Sequence, residues 1–293
     1  MTGYCVAAFY HFVPVDDPAG VVDRLRDPMQ RIGLIGSILV AAEGINGTIA
    51  GRDRADVETM LRQIADHVPG FAPDVKWSEC DDPPFRRARV RLKREIVTIG
   101  DADVDGRDAA DRVDPEQFNA LIDDPDTILI DTRNRYEIEL GTFDGAIDPG
   151  TESFGEFPDF VRDQLPADPS TPIAMFCTGG IRCEKATALL KSHGYRNVHH
   201  LRGGILNYLQ TVAPEESRWR GDCYVFDQRV ALDHRLKPSG HVMCHACGLP
   251  ITSEQADDPR YEPGVQCPRC ADQLSESQKA RFRMRQSQND AGE

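Results

Sequence analysis

The first hundred residues alternate between continuous apolar runs and apolar residues spaced at helical intervals. Residues 4–13 are aromatic and β-branched, the mixture that fills a pleated strand. Asp16-Asp17-Pro18 is a helix start, and Val21, Val22, Leu25 and Met29 recur at helical spacing until Gly33 stops them. Residues 34–42 read as a strand, residues 44–47 as a turn and residues 48–51 as a second short strand. Asp53 caps another helix, in which Val57, Met60, Leu61 and Ile64 return about every 3.6 residues. Residues 75–77 and 87–97 read as later strands. The order β-α-β-β-α-β predicts a ferredoxin-like α+β domain over residues 1–100.

Residues 101–111 are polar, acidic and glycine-containing, and are expected to be a linker. Beyond them strands and helices alternate. Val113-Asp114-Pro115 opens a helix through Leu121, and Ile128-Leu129-Ile130 is a buried strand ending in Asp131-Thr132-Arg133. A helix over 157–165 and a strand over 173–176 follow; after the next helix, ended by Gly194-Tyr195, come a strand over 198–201 and a last helix from Gly203-Gly204-Ile205. This alternation implies a doubly wound parallel α/β sheet over residues 112–213, with ligand at the carboxyl end of a strand. Residues 214–293 are left as a C-terminal extension.

The strand over 173–176 runs straight into CTGGIRCEKA, residues 177–186, and then into helix-forming residues up to Leu190. The first turn of a helix leaves N–H groups unpaired and carries the positive end of the helix dipole, so a strand, tight loop and helix start together build an anion cradle. Gly179 and Gly180 are expected to close the loop in conformations that a side chain would forbid. Cys177 falls at the focus, where the N–H groups and Arg182 favour a thiolate, and a reactive cysteine of lowered pKa is predicted. The alternative for an arbitrary cysteine, a small residue ending a core strand, does not explain the glycines and arginine at these offsets. Cys183 is either a resolving thiol for an oxidised Cys177 or a packing residue, and the separation suggests that the two meet only if the loop flexes.

Cys177, Thr178, Gly179, Gly180, Ile181 and Arg182 resemble the six-residue active loop of rhodanese domains, in which the cysteine carries a persulfide sulfur. Asp131, Arg133, Glu137 and Gly145-Ala146 match the rhodanese signature, while Gly141-Thr142 stands where that family usually shows Gly-His. Asp131 and Arg133 are expected to fix loops by charge-assisted hydrogen bonds rather than touch substrate. The longer string CTGGIRCEKA, together with AAEGINGTIA at 41–50, Val225-Phe226-Asp227 and paired C-terminal cysteines, is similar to the rhodanese-containing tRNA uridine hydroxylases. The resemblance implies an acylphosphatase-like N-terminal domain that binds RNA and an oxidoreductase that converts the wobble uridine to 5-hydroxyuridine. It also implies the tRNA anticodon loop as partner and molecular oxygen as co-substrate; no flavin or nicotinamide fingerprint is evident.

Charge changes the picture locally. The 293-residue chain carries a net charge of −14, which by itself argues against a nucleic-acid partner. Yet Arg86, Arg87, Arg89, Arg91, Lys93 and Arg94 fall within nine residues, and 87, 89, 91 and 93 alternate with Ala88, Val90 and Leu92. On a strand this places the charges on one face, a row suited to a phosphate backbone. No apolar run approaches the roughly 18 residues that span a bilayer, and the start lacks a basic segment with a cleavage site, so a cytoplasmic protein without membrane partner is expected.

Nine cysteines in such a chain favour reactive or metal roles over disulfides. Cys244-His245-Ala246-Cys247 is followed, after 19 residues, by Cys267-Pro268-Arg269-Cys270. Two such knuckles supply four thiolates for a tetrahedral structural Zn²⁺ in a small C-terminal zinc-knuckle module, with His241 and His245 as less favoured ligands. Cys5, Cys80 and Cys223 read as packing residues. Residues 279–285 are basic and the polar end beyond them is expected to fray. Two rival functions share these features: a sulfurtransferase carrying a persulfide on Cys177, and a non-catalytic RNA-binding or zinc adaptor.

Overall fold

The structure is a computed structural model that describes residues 3–101 and 103–290, the last two without their side chains. Ala102, inside the expected linker, and residues 291–293 of the expected frayed end lie outside the described residues. The chain folds into two compact units: one runs to Tyr224 and takes in Asp233–Lys237, and the other comprises Val225–Leu232 and the chain from Pro238. Among the described residues no helix is long and apolar enough to cross a membrane.

The first unit begins with β1 (Tyr4–Phe12), α1 (Pro18–Arg31), β2 (Ile35–Ala41), β3 (Gly44–Gly51), α2 (Arg54–His67), β4 (Lys76–Cys80) and β5 (Ala88–Leu92). The sheet order is β4-β1-β3-β2-β5, the ferredoxin-like order with β5 added parallel to β2. Asp17 and Asp53 cap the two helices, each accepting a backbone N–H at 2.9 Å. Val21, Leu25 and Met29 of α1 and Val57, Met60 and Ile64 of α2 bury their apolar stripes with Ala7, Phe9, Ile38 and Ile49 on one sheet face. Each Val, Leu, Ile, Met or Phe among them contributes about 1.5–3 kcal/mol of burial.

Two expectations are corrected here. Residues 44–47 are not a turn but the start of β3, paired with Phe12 through Phe9; the turn is at 42–43. Glycine at 47 serves packing, because a Cβ there would lie 2.7 Å from the Phe9 ring. The strand expected over 87–97 covers only Ala88–Leu92. The chain leaves the sheet because residues 95 and 96 have other partners: Ile96 N–H donates to Glu43 Oε1 at 2.7 Å, and Asn46 Nδ2 donates to the Ile96 carbonyl at 3.0 Å.

The rest of this unit comprises β6 (Asp111–Val113), α3 (Pro115–Ile122), β7 (Ile128–Asp131), α4 (Arg135–Ile138), β8 (Gly141–Phe143), α5 (Phe157–Gln164), β9 (Ile173–Phe176), α6 (Ile181–Ser192), β10 (Val198–Leu201), α7 (Gly204–Thr211) and β11 (Trp219–Gly221). A four-stranded sheet, ordered β6-β10-β9-β7, is parallel throughout and covered on both faces. One cover joins Ile130, Met175, Phe157 and Leu190; the other joins Phe118, Phe143, Phe176, Tyr208 and Trp219. The antiparallel pair β8 and β11 has too few residues to announce itself in the sequence. Residues 103–111 are packed rather than loose: Lys191 Nζ donates to the Asp108 carbonyl at 2.8 Å, and Ala110 N–H donates to Thr187 Oγ1 at 3.0 Å.

Helix α6 is buried from Arg182 to Leu190, charged residues included. Its Lys185 Nζ, 1% exposed, lies 2.8 Å from Glu43 and 2.5 Å from Glu95, two carboxylates of the ferredoxin-like domain. Glu184 accepts from Tyr10 Oη at 2.7 Å and pairs with Arg112 at 2.8 Å. Ile181 adds apolar contact with Phe12, Ala41 and Ile96.

The second unit holds an antiparallel pair, Val242–Met243 with Pro250–Ile251, and a helix Glu276–Asp290. The helix corrects the expectation of a frayed end as far as residue 290: Arg283 forks onto Glu262 with both contacts at 2.6 Å.

Replacing Lys185 by Met removes one cation and strands two carboxylates. Urea unfolding of Lys185→Met should show a loss of about 3 kcal/mol, largely restored when Glu43 and Glu95 are also made glutamine. A loss below about 1 kcal/mol would remove this contact from the stability argument.

Candidate active site: a buried thiolate between two helix starts

Strand β9 is buried along its whole length and lies between β7 and β10, so Cys177 emerges at the carboxyl end of a central strand. Gly180 has φ 101° and aims its N–H at Cys177 Sγ, 3.1 Å away. A side chain there would be strained, and its Cβ would meet Tyr10 Oη at 2.7 Å. Gly179 differs from expectation: nothing lies within 4 Å of where its Cβ would stand, and its φ is not left-handed. A second glycine closes the loop from the other side. Gly204, φ 67°, leaves a Cβ position only 2.4 Å from the Cys177 carbonyl, and Ile205 and Leu206 N–H bind the Cys177 and Thr178 carbonyls at 3.0 and 3.1 Å. The start of α6 therefore serves the sulfur, and the start of α7 holds the loop.

Burial alone pushes the Cys177 thiol up. A hydrogen bond from Cys183, the Arg182 charge and the N–H groups of Cys183 and Arg182 outweigh burial and bring it down to about 5. Cys177 is consequently a thiolate at neutral pH. Arg182 forks onto Glu137 of α4 at 2.6 and 2.8 Å and lies 3.4 Å from Thr178 Oγ1. Its charge acts on Cys177 while its guanidinium is held by Glu137. That role for Glu137 was not predicted, although its place in the signature marked it.

Cys183 is packed with Cys177 in one buried cluster, and burial followed by the neighbouring Cys177 raises its own thiol well above the usual range. Its Sγ is also 3.6 Å from Thr132 Oγ1. Around the loop, Arg133 and Asp131 form a fully buried pair at 2.6 Å, as expected of loop-fixing residues. Thr142, standing where the signature has His, donates to Asp131 Oδ2 at 2.8 Å and so joins that network.

The ferredoxin-like domain supplies neighbours that local sequence did not announce. Lys76 lies 5.1 Å over the Tyr10 ring, and its Cε is 3.2 Å from the Cβ position of Gly203. Burial lowers its ammonium pKa despite Asp74. His200, 1% exposed, has both ring nitrogens without a hydrogen-bond partner, with Nε2 at 3.7 Å from Glu184 Oε2. The basic residues are not at the sulfur. Arg86, Arg87, Arg89, Arg91, Lys93 and Arg94 are exposed on β5 and its flanks. Register nevertheless links them to it: Lys76, Ala8, Thr48, Ser37 and Arg89 lie opposite one another across all five strands, as do Tyr10, Asn46, Leu39 and Arg91 across four. Lys76, Tyr10, Arg89 and Arg91 thus share the face not covered by α1 and α2, with Lys76 and Arg89 four strand spacings, or about 19 Å, apart.

In the second unit the sulfurs of Cys244, Cys247, Cys267 and Cys270 all lie within 4.8 Å of one another. Neighbouring pairs are 3.7–3.9 Å apart, against about 3.8 Å for four sulfurs placed tetrahedrally at a Zn–S length of about 2.3 Å. The four thiols fit a metal ion such as zinc, and His241 and His245 are not part of the cluster.

Comparison with known proteins agrees with this geometry. Residues 4–96 match the UPF0176 acylphosphatase like domain and residues 114–211 the Rhodanese-like domain. A tRNA uridine(34) hydroxylase of Parasynechococcus marenigrum is 50% identical over 99% of this chain and 94% of its own length. The chain belongs to the tRNA uridine(34) hydroxylase family. Family members of the same name from Acinetobacter baumannii, 50% identical over 98% of the chain and 90% of their own, and Caulobacter vibrioides, 47% over 98% and 93%, extend the match.

The ultraviolet thiolate absorbance lost in Cys177→Ser should titrate in the native chain with a midpoint of about 5. The thiolate is complete above that pH and disappears as pH falls through it. Arg182→Gln should move the midpoint up by about one to two units; an unmoved midpoint would take Arg182 out of this role.

Proposed function

We propose that this chain is an oxidoreductase that hydroxylates C5 of the wobble uridine in tRNA, with dioxygen as co-substrate, in the cytoplasm. What carries the reading is near-full-length identity with the named hydroxylases combined with a thiolate at the focus of the loop. The sulfur of Cys177 adds to C6 of uracil, which places negative charge on C5 and O4 and makes C5 reactive towards oxygen. The backbone N–H groups that hold the thiolate steady the early charge, and Arg182 acts through Cys177 rather than on the base. An anticodon loop releases its base cheaply because that base is not paired.

Lys76 and Tyr10 form the wall facing the loop, and the exposed arginines Arg89 and Arg91 continue the same face outward as a track for the tRNA backbone. The four C-terminal thiolates hold a structural zinc ion, which elemental analysis should count as about one per chain. A persulfide carrier would use the same loop, so the test must separate the two chemistries.

Nucleoside mass spectrometry of tRNA from cells with the wild-type chain, without it, and with Cys177→Ser does so. Loss of 5-hydroxyuridine in the last two strains is expected. Its persistence with a change only in thiolated nucleosides would favour sulfur transfer. The double change Arg89→Ala with Arg91→Ala should weaken tRNA binding and lower its salt slope by about one to two, leaving the Cys177 titration unchanged.

A further inference from the structure

Placing one oxygen atom of O₂ on C5 and releasing the other as water consumes two electrons beyond those taken from the uracil ring. Two cysteines of one buried cluster flank the loop where those electrons are needed. Cys177 follows β9 and accepts the Gly180 N–H at 3.1 Å; Cys183, in the first turn of α6, packs in the same buried cluster. Thr132 Oγ1, itself anchored to the Phe176 carbonyl at 3.0 Å, lies 3.6 Å from Cys183 Sγ. Both sulfurs are fully buried, so base, O₂ and reductant reach them only when the covering residues move. The two are unequally protonated, Cys177 held as the thiolate and Cys183 as the thiol.

We propose that Cys177 and Cys183 together donate the two electrons of the hydroxylation and become a disulfide in each turnover. This rests on the hydroxylase reading. The Cys177 thiolate forms a C–S bond at C6, and the electron pair released to C5 reduces O₂, giving a C5 hydroperoxide once a proton is taken up. Loss of the C5 proton to solvent expels Cys177 from C6. The freed thiolate attacks the distal peroxide oxygen, the O–O bond breaks, and C5 keeps one oxygen as 5-hydroxyuridine after protonation. Cys177 is left as a sulfenic acid. The Cys183 thiol condenses with it, forming the S–S bond and releasing water that contains the second oxygen. The balance is uridine plus O₂ plus two thiols, giving 5-hydroxyuridine, a disulfide and water. An external thiol or dithiol then reduces the pair by exchange.

The test is a limited-turnover reaction of the full chain, reduced, freed of reductant, and mixed with excess tRNA lacking the modification in aerated buffer. About one 5-hydroxyuridine per chain is expected, with loss of two free thiols and a Cys177–Cys183 cross-linked peptide by mass spectrometry; adding dithiothreitol should restart turnover. Cys183→Ser should make product once and leave Cys177 as a sulfenic acid that dimedone labels, whereas wild type should show disulfide and little label. Cys183→Ala serves if serine disturbs the buried site, and thermal melting confirms folding of either variant. Many turnovers by wild type with its thiols intact and no reductant would overturn the proposal while leaving the hydroxylase reading in place. So would product from a folded variant without any label on Cys177. Absence of 5-hydroxyuridine from wild type even with dithiothreitol would overturn both.

Discussion

An ammonium group removed from water costs several kcal/mol unless it is paired, and Lys185 is paired twice. Its carboxylates come from separate places, Glu43 in the turn between β2 and β3 and Glu95 just past β5. Neither place is near α6 in the chain, so satisfying the charge requires the ferredoxin-like domain to dock in one orientation. Glu184, one residue earlier, makes the same demand through Tyr10, 174 residues away. Two adjacent charges of opposite sign on a buried helix therefore work as a two-point key. Hydrophobic contact at Ile181 supplies attraction without direction; the ions supply the direction.

That docking has a consequence for the sulfur. The helix that carries the key also begins at the loop, so the surface that satisfies Glu184 brings Tyr10 to Gly180 and Lys76 to Gly203. The loop is enclosed, and Cys177 has no accessible surface. Enclosure raises a thiol pKa, and only fixed donors reverse it. Backbone N–H groups are well suited because they cost no reorganisation, and Arg182, anchored by Glu137, adds charge without mobility. The departure at Thr142 costs the loop little, since its hydroxyl still reaches Asp131.

Features with local causes were legible in the sequence. The N-caps at Asp17 and Asp53, the stripe through Val21, Leu25 and Met29, and the strand-loop-helix around Cys177 each follow from neighbours within a few residues. The failures were of two kinds. Gly44 to Gly47 looked like a turn because glycine signals conformational freedom, whereas here it makes room for Phe9 in the middle of a sheet. Glu184 and Lys185 were read only as part of a helix-forming run, since nothing beside them reveals that Tyr10, Arg112, Glu43 and Glu95 will arrive. Cys183 is intermediate. Its position was evident, but its burial in one cluster with Cys177 and beside Thr132 depends on how α6 packs on the sheet, which spacing alone does not determine.

The basic strand shows why a net charge of −14 is a poor guide to partners. Screening confines exposed charges to about 8–10 Å at physiological salt, so distant carboxylates do little to neutralise β5. Arg87 and Arg91 crowd Arg89 closely enough to lower its pKa by like-charge repulsion, a cost to the folded chain. An anion along the row relieves that cost, and on the proposed reading it is a phosphate backbone, which matches a strand whose alternate side chains rise on one face about every 6.6 Å. Because the same register continues from Arg89 to Lys76, on the proposed reading a tRNA strand drawn in by β5 meets the wall of the Cys177 loop without leaving that face. On the proposed reading, the net negative charge of the rest of the chain then disfavours a polyanion away from its basic segments.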